Sequence, residues 1–234
     1  LCRTLQADAA IVAEPTRLRV ATACKGCLRW RIEIHGREAH SSKPEQGTNA
    51  IVQMAEVVRV MDRDTRALAS RSHPTLGSPT FNIGIIRGGT QVNIVPDHCA
   101  IEIDRRLLPG EEAGDVLRHY TTLLDDLRSA IPELSYTMEP PMILAPPVET
   151  PADIPLVQGA VEVLREMGLN SEPIGVPFTC DASALSEHGV PCVIFGPGSI
   201  DQAHTPGEFV ECAQVEQAVD FYQRMMMTDL TAER

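Results

Sequence analysis

Apolar and polar positions along the chain follow three patterns. Two short runs are continuously apolar. One covers residues 9–13 and stops at Glu14-Pro15-Thr16; the other covers residues 190–195 and stops at Gly196-Pro197-Gly198. Runs of this kind suit strands buried on both faces, as in a parallel sheet. Residues 28–36 and 98–107 alternate apolar with polar, which predicts half-buried antiparallel strands. Residues 80–86 read as a further strand, and 134–138 as the last of this group. Helical spacing appears in Ala50, Ile51, Met54, Val57, Val58 and Met61, and again in Val116, Leu117, Tyr120, Leu123, Leu124 and Leu127. Two more helices are expected over residues 156–167, ending at Gly168, and 211–227.

In order, residues 24–142 read strand, helix, strand, strand, helix, strand, the split β-α-β plan of a ferredoxin-like domain. The proline-rich stretch from Pro140 to Pro155 reads as a linker. The segment after it resembles part of an open α/β sheet, to which residues before Cys24 would also belong. The expected division is therefore 1–23, 24–142 and 143–234. The chain starts at Leu1 with a strand pattern within ten residues, which predicts that it begins inside a domain.

Hydrophobic content of 43% and charged content of 22% are those of an ordinary packed protein, and 4% aromatics make the core mainly aliphatic. The formal charge of −12 excludes a nucleic-acid binder and docking on anionic membranes. No apolar run is long enough for a transmembrane helix, and no signal peptide is visible. The seven cysteines are scattered, and Cys24 and Cys27 lack the second pair a zinc ribbon needs. Reduced thiols and a cytoplasmic protein are expected.

Several positions carry candidate chemistry. Strand ends gather along one edge of a parallel sheet, so Glu14 and His204 could meet there as carboxylate and imidazole ligands of zinc, cobalt or manganese. A surface loop residue and a helix-cap neighbour are the plainer readings of the same two positions. His40, in Gly36-Arg37-Glu38-Ala39-His40-Ser41-Ser42, could donate to a substrate carbonyl; the two serines read as helix-entry and turn residues. Arg105-Arg106 closes an alternating strand, where an arginine can hold a carboxylate or simply be solvated. Asp181 reads as an N-cap. Ser183 has no nucleophile-elbow frame, and neither a Walker loop nor a dinucleotide fingerprint is present.

Taken in order, Ala13-Glu14-Pro15-Thr16, the His40 loop, Asn49-Ala50-Ile51, Gly88-Gly89-Thr90, Asn93-Ile94-Val95-Pro96, Asp104-Arg105-Arg106, Thr179-Cys180-Asp181-Ala182-Ser183 and Phe195-Gly196-Pro197-Gly198 with Gln202-Ala203-His204-Thr205-Pro206 resemble one family. It is the metallopeptidase and amidohydrolase family of acetylornithine deacetylase, succinyl-diaminopimelate desuccinylase, aminoacylase and glutamate carboxypeptidase, matched here in its C-terminal portion. The resemblance implies a partial zinc-peptidase-like catalytic α/β domain with an inserted ferredoxin-like α+β domain that forms the homodimer and acts as a lid. It implies cleavage of N-acyl amino acids or small peptides by water activated on two divalent metal ions. Glu14 and His204 would be terminal metal ligands. His40 would reach into the partner's site and stabilise the oxyanion, Asn93 and Arg105 would hold substrate, with Arg105 on its carboxylate, and Thr179 would lie in a substrate-side loop.

The family also uses an H-x-D pair, a bridging aspartate and a Glu-Glu pair, all N-terminal to the segment that matches Glu14. None precedes Glu14 here, and Glu111-Glu112 sits at a lid helix start. The expectation is a fragment that is inactive alone and does not hold both metals. The alternative is a non-catalytic dimerisation or binding module.

Overall fold

The computed structural model describes residues 7–203 and 205–230. In chain order, β1 (Ala10–Val12) and β2 (Ala21–Cys24) open the fold. Next come β3 (Gly26–His35), β4 (Ala39–His40), α1 (Ala50–Leu68), β5 (Thr80–Gly88), β6 (Ile94–Val95) and β7 (His98–Leu107). After these come α2 (Ala113–Ala130), β8 (Ser135–Met138), β9 (Ile143–Ala145) and β10 (Val148–Glu149). The chain closes with α3 (Pro155–Glu166), β11 (Ile174–Val176), α4 (Ala182–Glu187), β12 (Cys192–Ile194) and α5 (Cys212–Met227). Among the described residues, no helix is long and apolar enough to cross a membrane.

The chain forms two compact units. One comprises residues 1–26, 73–76 and 145–234; the other comprises 27–72 and 77–144. The expected bounds of the inserted unit, 24 and 142, thus move to 27 and 144, and the short segment after α1 joins the first unit. The crossing moves because β2 is a sheet partner of β10, β11 and β12, which ties Cys24 to the first unit.

In the second unit the sheet order is β5-β7-β3-β8, with β9 added beside β3. This is the ferredoxin-like arrangement expected from the element order. Alternation in β3 sends Leu28, Trp30, Ile32 and Ile34 into the core, and in β7 it sends Cys99, Ile101 and Ile103 there. Met54, Val57 and Met61 of α1, with Tyr120 and Leu124 of α2, close that core. Burying each such large side chain contributes about 1.5–3 kcal/mol. Asn49 starts α1 by accepting the Ile51 and Val52 backbone N–H groups at 3.0 and 3.1 Å. Helix entry therefore falls to Asn49 rather than to Ser41 or Ser42.

The first unit is built on a five-stranded sheet, β1-β12-β2-β10 with β11 also on β2. It is mixed rather than parallel: β1 with β12 and β11 with β2 are parallel, while β12 and β10 run antiparallel to β2. The apolar run of β12 is fully buried because both faces are covered. Val193 and Phe195 meet α3 and α5, with Phe195 stacked on Phe221 at 3.8 Å, while Cys192 and Ile194 meet the α4 side. β1 is parallel as expected but only half-buried, being the outermost strand among the described residues.

The proline-rich stretch from 140 to 155 is not a plain linker. Met142 N–H bonds to the Arg29 carbonyl at 2.8 Å, β9 pairs with β3, and Val148 and Glu149 pair with Cys24 and Ala23. Pro146 and Pro147 fall in the break between β9 and β10, where no ladder donor is required. Asp181 precedes α4, but its side chain makes no cap hydrogen bond.

Candidate active site

Glu14 lies two residues past β1, half-buried. Its position is set by a close approach of backbone to backbone. A side-chain carbon on Gly196 would lie 2.7 Å from the Glu14 carbonyl oxygen, so this loop can pass only as glycine. Thr16 Oγ1 accepts the Gly196 N–H at 3.0 Å, and the Leu18 N–H donates to the Gly196 carbonyl at 3.1 Å. The turn needed to do this puts Arg17 and Leu18 at positive φ, 56° and 57°. Arg17 then donates to Ser199 Oγ at 2.9 Å and ion-pairs with Asp201. Glu14 is thus held beside the loop that leads from Gly196 towards residue 204. His204 itself lies outside the described residues.

Thr179 sits in the same unit. Its hydroxyl donates to the Lys25 carbonyl at 2.6 Å, which pins the loop after β11 to the end of β2. The Glu14 charge is also felt in this loop: it is one of the causes, behind the bond from Cys24 and burial, that raise the Cys180 thiol above its ordinary range. Glu14 is thus held against the Gly196 loop, and Thr179 at the end of β2, in one unit.

In the second unit the structure brings His40 and Asn93 together. β4 and β6 pair antiparallel with His40 opposite Ile94, and the Ser41 N–H donates to the Asn93 carbonyl at 3.0 Å. The loop can fold this tightly because Gly36 has no side chain; a carbon there would lie 2.1 Å from the Thr48 carbonyl oxygen. His40 Nδ1 accepts the Ser42 backbone N–H at 3.1 Å. In the neutral ring the proton is then on Nε2, and the exposed side chain offers that N–H outward.

Arg105 is placed differently from expectation. It follows Cys99, Ile101 and Ile103 in the inward-facing series of β7 and is 1% exposed. One guanidinium nitrogen donates to Glu111 Oε1 at 2.7 Å, and another bonds to the Arg106 carbonyl. Glu111 also accepts from Arg71 at 2.9 Å and from the Leu108 N–H at 2.8 Å. The reason is the period of two: residue 105 shares its face with the core, whereas Asp104 and Arg106 share the other. Arg106 meets Asp104 there at 2.7 Å, and Asp104 also accepts from Arg29 at 2.6 Å, which holds Arg29 more firmly protonated than usual. The alternation of residues 98–107 is the sequence signal that separates the two arginines, and it points to Arg106 as the one free of the core.

Among the described residues, no three His, Cys, Asp or Glu side chains gather as a metal cage. Glu14 would supply one ligand, where zinc sites use three or four. The described residues do not by themselves fit a two-metal centre.

The chain thus combines a ferredoxin-like unit set into an α/β unit with a carboxylate two residues past β1 and a histidine–asparagine pair on the β4–β6 ribbon. Residues 22–130 match the peptidase dimerisation domain. The acetylornithine deacetylase of Yersinia pseudotuberculosis serotype O:1b (strain IP 31758) is 35% identical over 217 residues, 91% of this chain and 54% of that protein. That of Photorhabdus laumondii is 33% identical over 211 residues, 89% of this chain and 53% of that protein. The chain is similar to these acetylornithine deacetylases and carries a peptidase dimerisation domain match over residues 22–130, and it spans about half the length of the curated relatives it matches. Its fold is also that of the aminopeptidase PepT of Bacillus cereus ATCC 10987, with a TM-score of 0.76 at 20% identity over 96% of this chain and 59% of that one.

Proposed function

We propose that the chain is part of a metal-dependent amidohydrolase that splits N-acyl amino acids, of the deacetylase or desuccinylase type, in a reducing compartment such as the cytoplasm. The observation that carries this reading is His40. Its Nδ1 is occupied by the Ser42 N–H, so Nε2–H is the ring's donor, and it stands beside Asn93. A fixed neutral donor of this kind stabilises the oxyanion that forms when water attacks an amide carbonyl. Asn93 hydrogen-bonds the substrate. Arg106, rather than Arg105, is the arginine whose face allows it to hold the substrate carboxylate. Glu14 and His204 are ligands of a divalent zinc, cobalt or manganese pair, and Thr179 lines the substrate side of its unit. The donors this chain adds do not complete that pair, so the described residues supply binding, orientation and oxyanion stabilisation.

The test is hydrolysis of N-acetylated and N-succinylated amino acids by the protein as its gene encodes it, with zinc or cobalt added and with a chelator. Release of the free amine that stops with chelator is expected. A folded, metal-loaded gene product that releases none sinks the proposal.

A homodimer through the second unit is favoured by a specific feature. β5 is the outer strand of its sheet, and Ile86 on it is 58% exposed, with Ile51 and Val52 of α1 exposed in the same unit. An uncapped, apolar strand edge is a surface that pairs with a second copy. Light scattering on the purified chain should give the dimer mass, and Ile86→Asp should give the monomer.

A further inference from the structure

The turn after β1 holds a strained piece of backbone. Among the described residues, Arg17 and Leu18 are the two non-glycine positions with positive φ. A side-chain carbon is disfavoured in that left-handed region, so glycine is the residue it suits. Leu18 has a packing reason to be there: it is 6% exposed, in the core cluster with Val20, Phe195 and Phe221. Arg17 has no such reason, because its side chain is 62% exposed.

Arg17 instead reaches the loop after Gly196. Its Nε donates to Ser199 Oγ at 2.9 Å, its guanidinium ion-pairs with Asp201, and its backbone N–H donates to the Gly198 carbonyl at 2.8 Å. Ser199 is buried, and its hydroxyl also donates to the Asp201 carboxylate at 3.4 Å and accepts the Asp201 N–H at 3.3 Å. Stability does not explain the pair with Asp201. Both side chains are largely solvated, and an ion pair of that kind stabilises by less than a left-handed non-glycine residue costs. Such a mismatch at a strained position points from structure to function. The clasp joins the turn that follows Glu14 to the loop that leads towards His204.

We propose that Arg17 is a positioning residue. It clamps Ser199 and Asp201 to the turn after Glu14, so that Glu14 and the loop leading towards residue 204 keep one fixed spacing. Its action on the reaction is indirect, through the loop it holds. That the spacing serves hydrolysis rests on the proposed function; the clasp itself does not.

Two variants open the clasp from opposite ends. Arg17→Gly removes the side chain and relieves the left-handed backbone. Asp201→Ala removes the carboxylate and leaves residue 17 unchanged. In the purified chain without metal, hydrogen exchange read by mass spectrometry should run about fivefold faster over residues 196–203 in both variants. The urea midpoint of Arg17→Gly should stay close to that of wild type. In the protein as its gene encodes it, both variants should lower kcat by up to about 10²-fold with little change in KM, as misplaced reacting groups do. Unchanged exchange over residues 196–203 overturns the clasp. So does faster exchange spread evenly over the unit with a lower urea midpoint, the mark of lost stability alone. Loosened exchange with kcat unchanged in both variants overturns the positioning role. A wild-type gene product that hydrolyses no N-acyl amino acid counts against the hydrolase reading instead, and the exchange result then decides the clasp by itself.

Discussion

Arg105 and Arg106 are neighbours in β7 that serve opposite faces of one sheet: Arg105 is buried against Glu111, and Arg106 meets Asp104 on the other side. Removing the first leaves a mostly buried carboxylate without its main partner, at a cost of about 3–5 kcal/mol. Arg105→Ala should therefore lower the urea midpoint sharply. Arg106→Ala, whose ion pair is partly solvated, should cost about 1 kcal/mol or less while raising KM in the gene product. Equal stability losses in urea titrations of both variants would contradict the assignment of faces.

His40→Ala should reduce kcat of the gene product by about 10²–10³-fold, the usual effect of deleting an oxyanion donor, with little change in KM. Ser42 gives a finer test, because both its backbone N–H, at 3.1 Å, and its hydroxyl, at 2.8 Å, meet His40 Nδ1. Ser42→Ala, which removes only the hydroxyl, should lose less kcat than Ser42→Pro, which removes the backbone donor and should approach His40→Ala. Steady-state kinetics with circular dichroism as a folding control separates these outcomes.

Gly196→Ala would bring a methyl group to 2.7 Å from the Glu14 carbonyl oxygen. Backbone on both sides of the contact must then shift. A lower Tm and weaker metal-dependent activity are expected together, since the shift moves Glu14. A variant with unchanged Tm would show that the two loops are not in the contact described.

The three tyrosines give an alkaline signature. Burial raises Tyr120 and Tyr222 above the usual range. Burial, with the Tyr136 hydroxyl bonded to Asp125 at 2.7 Å, pushes Tyr136 up to about 12. Folding thus favours the protonated phenols. Their contribution to stability is complete below the unfolded value of about 10 and is lost as pH rises through the folded values. Ultraviolet absorbance should show phenolate appearing late and together with loss of the circular dichroism signal. Three tyrosines ionising near pH 10 in a chain that stays folded would refute this.

Much of the architecture was legible because burial leaves a period in the sequence. Trp30, Ile32 and Ile34 against Arg29, Arg31 and Glu33 announce β3, and the i, i+3, i+4 spacing around Met54 and Tyr120 announces the helices. Short strands left no such record. β2, β4, β6 and β10 are two to four residues long, and the mixed direction of the first sheet has no local signature. Prolines at 146 and 147 suggested a linker, although the flanking residues pair with β3 and β2.

The candidate site divides in the same way. The sequence by itself determined which side chains are present and the order of the motifs: the carboxylate after an apolar run, the histidine in a strand-to-helix loop, the paired arginines. Those features depend on residue type and near neighbours along the chain. Only the tertiary structure decided that Asn93 lies beside His40, that Gly196 rests on Glu14, that Cys180 packs against the cluster holding Cys24, and that Arg105 faces inward. These depend on which distant strands pair and in what register, and a register shift of one residue exchanges the faces of every side chain in a strand.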